Sequence, residues 1–419
     1  MINRVLCISQ RYHPAKGGAE LFAKILSEYL ANNRGYIVDH WTTKALSAEY
    51  LWDLKGDTVD IKEEVIGGVN IKRFPIGKGF LKNRYLNKVF RTLFGNLPFF
   101  RISNLASCPT TFEMLDEIKS IKQYDAVVVS ATPYYFLFYV GYKISKKLGI
   151  PLIIVPALHT GVEKDDGLKK KYLKKTVIPF FEHASKILLN TKSEGDAIST
   201  YCEENGVRID KKKFVVIGQG VFLNQINQGN GERFRKKYKI KNDIIFQIGS
   251  KSFEKGSISL INAMIKCWER GLNATLVFGG SYNEEFSQYI ENLKEEYRSK
   301  ILNIDNISDE EKWDLFDAGD IFSMVSKTDS FGIVYLEAWA YRKPVFACKN
   351  EVMREIISDD KDGYLIPFND TDEMADKIIY LSNNPSERKK MGKNGENKVK
   401  EKYDWSKNLN KIGEIFDNL

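Results

Sequence analysis

Apolar positions fall in two rhythms along this chain. Short apolar runs closed by small or polar residues alternate with stretches where apolar residues recur every three or four positions. In the first half the short runs are Val5–Ser9, Ile37–Trp41, Val69–Phe74, Ala126–Ser130, Leu152–Val155, Ile187–Leu189 and Phe214–Ile217. Gly17 and Gly18 open a helical pattern through Ala23, Ile25, Leu26 and Leu30, and the apolar run Tyr134–Tyr142 reads as a buried helix. The polar stretch Asn224–Asn242 reads as a domain linker, with Glu232–Tyr238 as a short helix within it. The rhythm then restarts with strand runs Ile244–Ile248, Ala274–Phe278, Ile301–Ile304, Ile321–Val325 and Val345–Ala347. Helices are expected at Ser257–Arg270, Thr371–Leu381, Glu387–Lys400 and Ser406–Phe416. Strands alternating with helices predict an α/β fold: two doubly wound units, each a parallel sheet covered on both faces.

Composition narrows the class. Hydrophobic residues make up 43% and charged residues 28%, which excludes a disordered or fibrous chain. Lys and Arg total 63 against 55 Asp and Glu, a formal charge of +8 that suits nucleotides, phosphates or an anionic membrane face. Cys7, Cys108, Cys202, Cys267 and Cys348 are scattered without metal-ligand spacing, so reduced thiols, a cytoplasmic location and no metal site are expected. The opening run Met1–Ser9 is too short for a signal peptide, and no stretch approaches the ~20 apolar residues of a spanning helix.

In doubly wound sheets ligands bind beyond the carboxyl ends of the strands, so the loops there carry the candidate chemistry. Ser326–Gly332 follows a strand and leads into a helix carrying Glu337, eight residues beyond Asp329. Its readings are a ligand loop, with carboxylates accepting from hydroxyls at a helix start, and a solvated acidic loop. Gly249–Gly256, with Lys251 and Lys255, reads as a diphosphate cradle or a plain turn with surface lysines. It has neither Walker A nor GxGxxG spacing. Gly17 and Gly18 allow close backbone approach at a helix start, or simply make a tight turn. His159 lies just past the run Leu152–Val155, while His13, His40 and His183 read as structural.

Two segments are basic and amphipathic. Phe80–Leu97 places Leu81, Tyr85, Leu86, Val89, Phe90, Leu93, Phe94 and Leu97 at helical spacing, with Arg84, Lys88 and Arg91 on the other side. Leu168–Phe181 interleaves Lys169, Lys170, Lys171, Lys174 and Lys175 with Tyr172 and Leu173. Both read either as core helices with solvated basic faces or as attachments to an anionic membrane and a phosphorylated acceptor.

Together these loops resemble the family-4 retaining, nucleotide-sugar glycosyltransferases of the GT-B fold, over nearly the whole chain. Ser326–Val345 is similar to the family's E-x7-E element, Asp362–Pro367 to its DGxLxP segment, Ser308–Glu310 to a helix-opening turn, Tyr403–Trp405 to its aromatic-x-Trp, and Val216–Val221 to its domain-closing strand end. The resemblance implies two facing Rossmann-like domains, 1–225 on the acceptor side and 226–403 on the donor side. It also implies a C-terminal helix, about 404–419, crossing back to the first domain. Gly17 and Gly18 would then line the donor phosphate, and His159 would contact the transferred sugar and stabilise developing charge. Lys255 would bind the diphosphate together with the 250–251 turn. Asp329 would hold sugar hydroxyls beside Ser330 and the N–H groups of Phe331 and Gly332. Glu337 would hold the ribose, and Asn306 and Ile307 would sit near the base.

Three positions depart from the family pattern: Asp329 stands for Glu, Ser250 for Arg (with Lys251 beside it), and Arg342 for Gly. The implied reaction is retaining hexosyl transfer from a UDP- or GDP-type sugar to a glycan acceptor, lipid-linked by expectation, with no metal, cofactor or nucleic acid. It would serve cell-surface polysaccharide, lipopolysaccharide, capsule or glycolipid synthesis, in the cytoplasm or on the inner face of the membrane. The alternatives are a soluble α-glucan synthase, a sugar-nucleotide epimerase, and a non-catalytic nucleotide-sugar or carbohydrate-binding protein.

Overall fold

A computed structural model of the chain describes residues 2–130, 132–159, 161, 172–226 and 228–419. The chain divides into two compact units: Met1–Leu158, Gly167–Ile217 and Leu409–Leu419 form the first, and His159–Asp166 with Gly218–Asn408 the second. The C-terminal helix Trp405–Asp417 thus begins in the second unit and ends in the first. Among the described residues no helix is long and apolar enough to cross a membrane.

The first unit is built on β1 (Arg4–Ile8), β2 (Ile37–Thr43), β3 (Glu63–Ile66), β4 (Val69–Phe74), β5 (Ala126–Ser130), β6 (Leu152–Val155), β7 (Lys186–Leu189) and β8 (Phe214–Val216), in the order β3-β4-β2-β1-β5-β6-β7-β8. All pairings are parallel except β3 with β4. The expected helix at the apolar run exists as Tyr135–Leu148, and Phe136, Leu137, Val140 and Ile144 enter the core with Val127, Val129 and Leu152. Each such buried side chain contributes roughly 1.5–3 kcal/mol relative to exposure.

The second unit carries β9 (Asp243–Ile248), β10 (Ala274–Gly279), β11 (Ile301–Ile304), β12 (Ile321–Met324), β13 (Val345–Cys348) and β14 (Gly363–Ile366), all parallel, in the order β11-β10-β9-β12-β13-β14. Along β9, Ile244, Phe246 and Ile248 enter one core and Ile245 the other, so both faces of the sheet are covered. The strand order reverses between β9 and β12, and the loops leaving these two strands frame the crevice where such sheets bind ligands.

Two expectations are corrected here. The stretch expected as a linker lies inside the second unit; the short helix expected within it exists as Gly231–Tyr238, and an unexpected helix, Leu223–Ile226, precedes it. Its charge is used internally: Phe234 is buried, and the Arg233 guanidinium donates to Asp314 at 2.5 and 2.8 Å, so polar composition does not mark free chain. The continuous helix expected over Phe80–Leu97 is broken, because Asn83 Oδ1 accepts the N–H groups of Tyr85 (3.0 Å) and Leu86 (3.3 Å). A 3-10 turn, Gly79–Lys82, precedes the cap, and helix Arg84–Phe94 follows it.

Candidate donor-binding site

The crevice of the second unit is closed by one ion pair. Lys255, in the loop after β9, lies 2.8 Å through Nζ from Oδ1 of Asp329, in the loop after β12. The two loops are also joined through backbone, with the Lys327 N–H donating to the Glu254 carbonyl at 2.8 Å. Gly256 makes that approach possible. Its φ is 75°, and a Cβ there would stand 2.4 Å from the Val325 carbonyl oxygen. Asp329 is only 7% exposed, and its Oδ2 is buried without a hydrogen-bond partner. A buried carboxylate oxygen left unpaired is costly, and a donor group brought by a ligand removes that cost.

The loop after β12 is held by internal contacts. Tyr335 donates its hydroxyl to the Met324 carbonyl, Ser326 Oγ donates to the Thr328 carbonyl at 2.9 Å, and Phe331 is buried against the ring of Tyr403. Gly332, with φ of 85°, starts helix Ile333–Ala340 without a side-chain cap. The positive end of this helix is therefore close in sequence to the orphan oxygen of Asp329 and to half-buried Ser330. Glu337 is buried on the same helix and pairs through Oε1 with Lys312 Nζ at 2.6 Å. Lys312 rests over the ring of Trp313, 4.5 Å from its centroid. Each acid of the Asp329–Glu337 pair is thus held by its own lysine.

Around the crevice the remaining positions behave differently. Ser250 is exposed. Lys251, beside the missing arginine, turns inward: it is 1% exposed, with Nζ 2.7 Å from Asn303 Oδ1 and 3.2 Å from the Ile304 carbonyl. Burial pushes this ammonium down to about 8, with Asp305 pulling the other way. Lys251 therefore does not supply the absent arginine's cation beside the Lys255–Asp329 pair; it ties the loop after β9 to the end of β11. Asn306 is exposed at φ 48° with its N–H on Asp305 Oδ1 at 3.0 Å, and half-buried Ile307 packs where a Cβ on Gly279 would stand 2.9 Å from its Cδ1. Arg342 closes its helix at φ 58° and bonds Glu396 Oε2 at 3.0 Å, which accommodates it where the family pattern has glycine.

In the first unit Gly17 and Gly18 open helix Gly18–Asn32, and Gly17 carries no side-chain cap. Glu20, buried one turn in, accepts from Arg11 at 2.8 Å and Gln10 at 3.1 Å. The loops after β1 and β5 flank the strand-order reversal of that sheet. His159, half-buried, follows β6 by four residues and is the first residue counted with the second unit. Glu194 holds the turn before it, accepting the N–H groups of Leu158 and Asn190 at 2.7 Å each. Arg84, Lys88 and Arg91 lie on helix Arg84–Phe94, with Arg84 Nη2 2.9 Å from Asp53. Lys174 Nζ bonds Asn96 at 2.9 Å, and burial pushes its ammonium down. Lys169, Lys170 and Lys171 lie outside the described residues.

Sequence reasoning missed Lys312, Tyr335, Asn303 and Glu194. Asn303 had a signal, as a polar residue inside the strand run Ile301–Ile304. Lys312 follows the acidic triplet Asp309–Glu311, and nothing local in the sequence sets it apart from a surface charge.

Residues 230–398 match the family of glycosyl transferases group 1. The chain is 29% identical over 202 residues to an uncharacterized glycosyltransferase of Methanocaldococcus jannaschii, covering 47% of this chain and 51% of that one. It is 24% identical to the alpha-monoglucosyldiacylglycerol synthase of Streptococcus pneumoniae, covering 64% of this chain and 62% of that one. The chain thus spans about half of the length of the curated relatives it matches. Among solved structures, Anabaena HepE in complex with UDP-glucose superposes with a TM-score of 0.72 at 18% identity, over 99% of this chain and 100% of that one. The fold is that of the GT-B glycosyltransferases, with two Rossmann-like units and a C-terminal helix.

Proposed function

We propose that the protein is a retaining, metal-independent hexosyltransferase using a UDP- or GDP-type sugar. The observation that carries this reading is the buried, unpartnered Oδ2 of Asp329, beside Lys255 and an uncapped helix start. In the proposed complex Oδ2 accepts from sugar hydroxyls, backbone N–H groups of Phe331 and Gly332 assist, and Glu337 holds the ribose. Lys255 stabilises charge gathering on the diphosphate as the glycosidic bond breaks. His159 stabilises the developing positive sugar. The acceptor hydroxyl attacks from the face the diphosphate leaves, a phosphate oxygen takes its proton, and the anomeric configuration is retained. No side chain serves as general base.

The acceptor is proposed to be a lipid-linked glycan at the inner face of the cell membrane, in cell-surface polysaccharide or glycolipid synthesis. The named activity of the S. pneumoniae relative on a diacylglycerol lipid supports that class. A second reading, a nucleotide-sugar-binding protein without turnover, is favoured by Lys251, whose ammonium is spent on β11 rather than on the diphosphate. Product analysis after incubation with UDP- and GDP-sugars separates the two: release of nucleotide diphosphate with an α-configured product from an α-donor supports transfer, and tight binding with no release supports the second reading.

A further inference from the structure

Helix Arg84–Phe94 is mounted inside out. Its one fully buried residue is polar: Asn87 is 2% exposed and donates to the Leu81 carbonyl at 3.0 Å and Thr110 Oγ1 at 2.9 Å. Its apolar row faces outward, with Tyr85, Val89 and Leu93 exposed by 70%, 52% and 61%. Of the seventeen large apolar side chains exposed among the described residues, eight fall between Phe80 and Ile102. A patch this concentrated marks an interaction surface rather than scattered exposure.

Beside the helix lies a cavity of about 490 Å³ whose lining includes Trp52, Lys88, Arg91, Tyr135 and Lys174. Arg91 stacks on Trp52, 5.3 Å from the ring centroid, and donates to its carbonyl. Asp53 also lines the cavity, but its carboxylate is paired with Arg84. Three cations lining one cavity with Trp52 and Tyr135 suit a phosphate ester, and the adjoining apolar row suits the hydrocarbon that carries it.

We infer that this face is a docking site for an anionic lipid surface: the cavity takes a lipid phosphate while Tyr85, Leu86, Val89 and Leu93 enter the acyl boundary. The charge of the cavity, adjoining the apolar row, selects an anionic bilayer over an apolar protein partner. The inference gives a location to the membrane part of the proposed function and rests on that reading for its purpose.

The test is co-sedimentation of the full chain with phosphatidylcholine vesicles containing or lacking phosphatidylglycerol. The chain is expected to sediment with the anionic vesicles only. Lys88→Ser/Lys174→Ser is expected to weaken that binding about tenfold or more, and Val89→Asp/Leu93→Asp to abolish it. Because Val89 and Leu93 are on the surface, the latter variant is expected to keep the wild-type thermal midpoint; Val89→Ser/Leu93→Ser, a milder pair, is expected to bind at an intermediate level. Inorganic phosphate at millimolar concentration is expected not to displace the vesicles. Equal binding to both vesicle types, binding to neither, unchanged binding in the Asp pair, or displacement by phosphate would each overturn the inference. Thermal shift with UDP and GDP on the same samples keeps the two readings apart. A nucleotide shift without vesicle binding sinks the lipid site alone, and vesicle binding without any nucleotide shift sinks the donor reading alone.

Discussion

Lys255 Nζ stands 2.8 Å from Asp329 Oδ1, while the other carboxylate oxygen of Asp329 stays buried and unbonded. One side chain thus supports both a structural pair and an open acceptor. Lys255→Ala leaves the carboxylate without either partner. It is expected to lower stability by about 1–3 kcal/mol and to weaken nucleotide-diphosphate binding, checked by denaturant unfolding and calorimetry. Full stability together with full UDP and GDP affinity would place the lysine outside the site.

Glu337 is held by Lys312 from one side, and the proposed function gives this carboxylate a ribose diol to accept from. Glu337→Ala is expected to cost about 1.5–3 kcal/mol of donor affinity, read by titration with the donor nucleotide. Nucleotide affinity equal to wild type would refute the ribose assignment.

Lys251 links stability to pH. Burial lowers its ammonium to about 8 from the ordinary 10.5, so between these values the unfolded chain holds a proton the folded chain has released. Stability from this group therefore rises with pH across that window. Wild type is expected to gain thermal midpoint relative to Lys251→Met between pH 8 and 10. A constant difference between the two proteins would show that the lysine titrates normally.

His40 links stability to pH in the same direction in the first unit, at lower pH. It is fully buried between Ser9 Oγ and Ser27 Oγ, 2.8 Å from each, and burial pushes its imidazole down to about 3, aided by Arg73. The folded state keeps it neutral, whereas the unfolded chain binds a proton below about 6.5. Stability is expected to fall as pH drops from 6.5 toward 3. The slope should be smaller in His40→Gln, measured by chemical unfolding at several pH values. Equal slopes would contradict the burial argument.

Much of this was readable in the chain because buried parallel strands are continuous apolar runs, and the runs at β1, β5, β6, β9 and β12 are of that kind. The loops after them announced themselves by glycines and charge. What a pattern does not carry is direction. Spacing shows that helix Arg84–Phe94 has two faces but not that Asn87 is the inward one, which depends on Thr110 and Leu81. Lys251 looked like a free cation because nothing local reveals Asn303, fifty-two residues on, that draws it in. The acid–lysine pairing of Asp329 joins loops seventy-four residues apart, and the unbonded state of its second oxygen is visible only once the fold is closed.

The most direct test of the donor site is calorimetric titration of wild type and Asp329→Asn with UDP, GDP and their hexose derivatives. The account expects wild type to bind one sugar nucleotide more tightly than its bare diphosphate, and Asp329→Asn to lose that extra affinity while keeping much of the diphosphate affinity. Wild type binding no nucleotide, or the variant keeping the full preference for the sugar-bearing form, would contradict it.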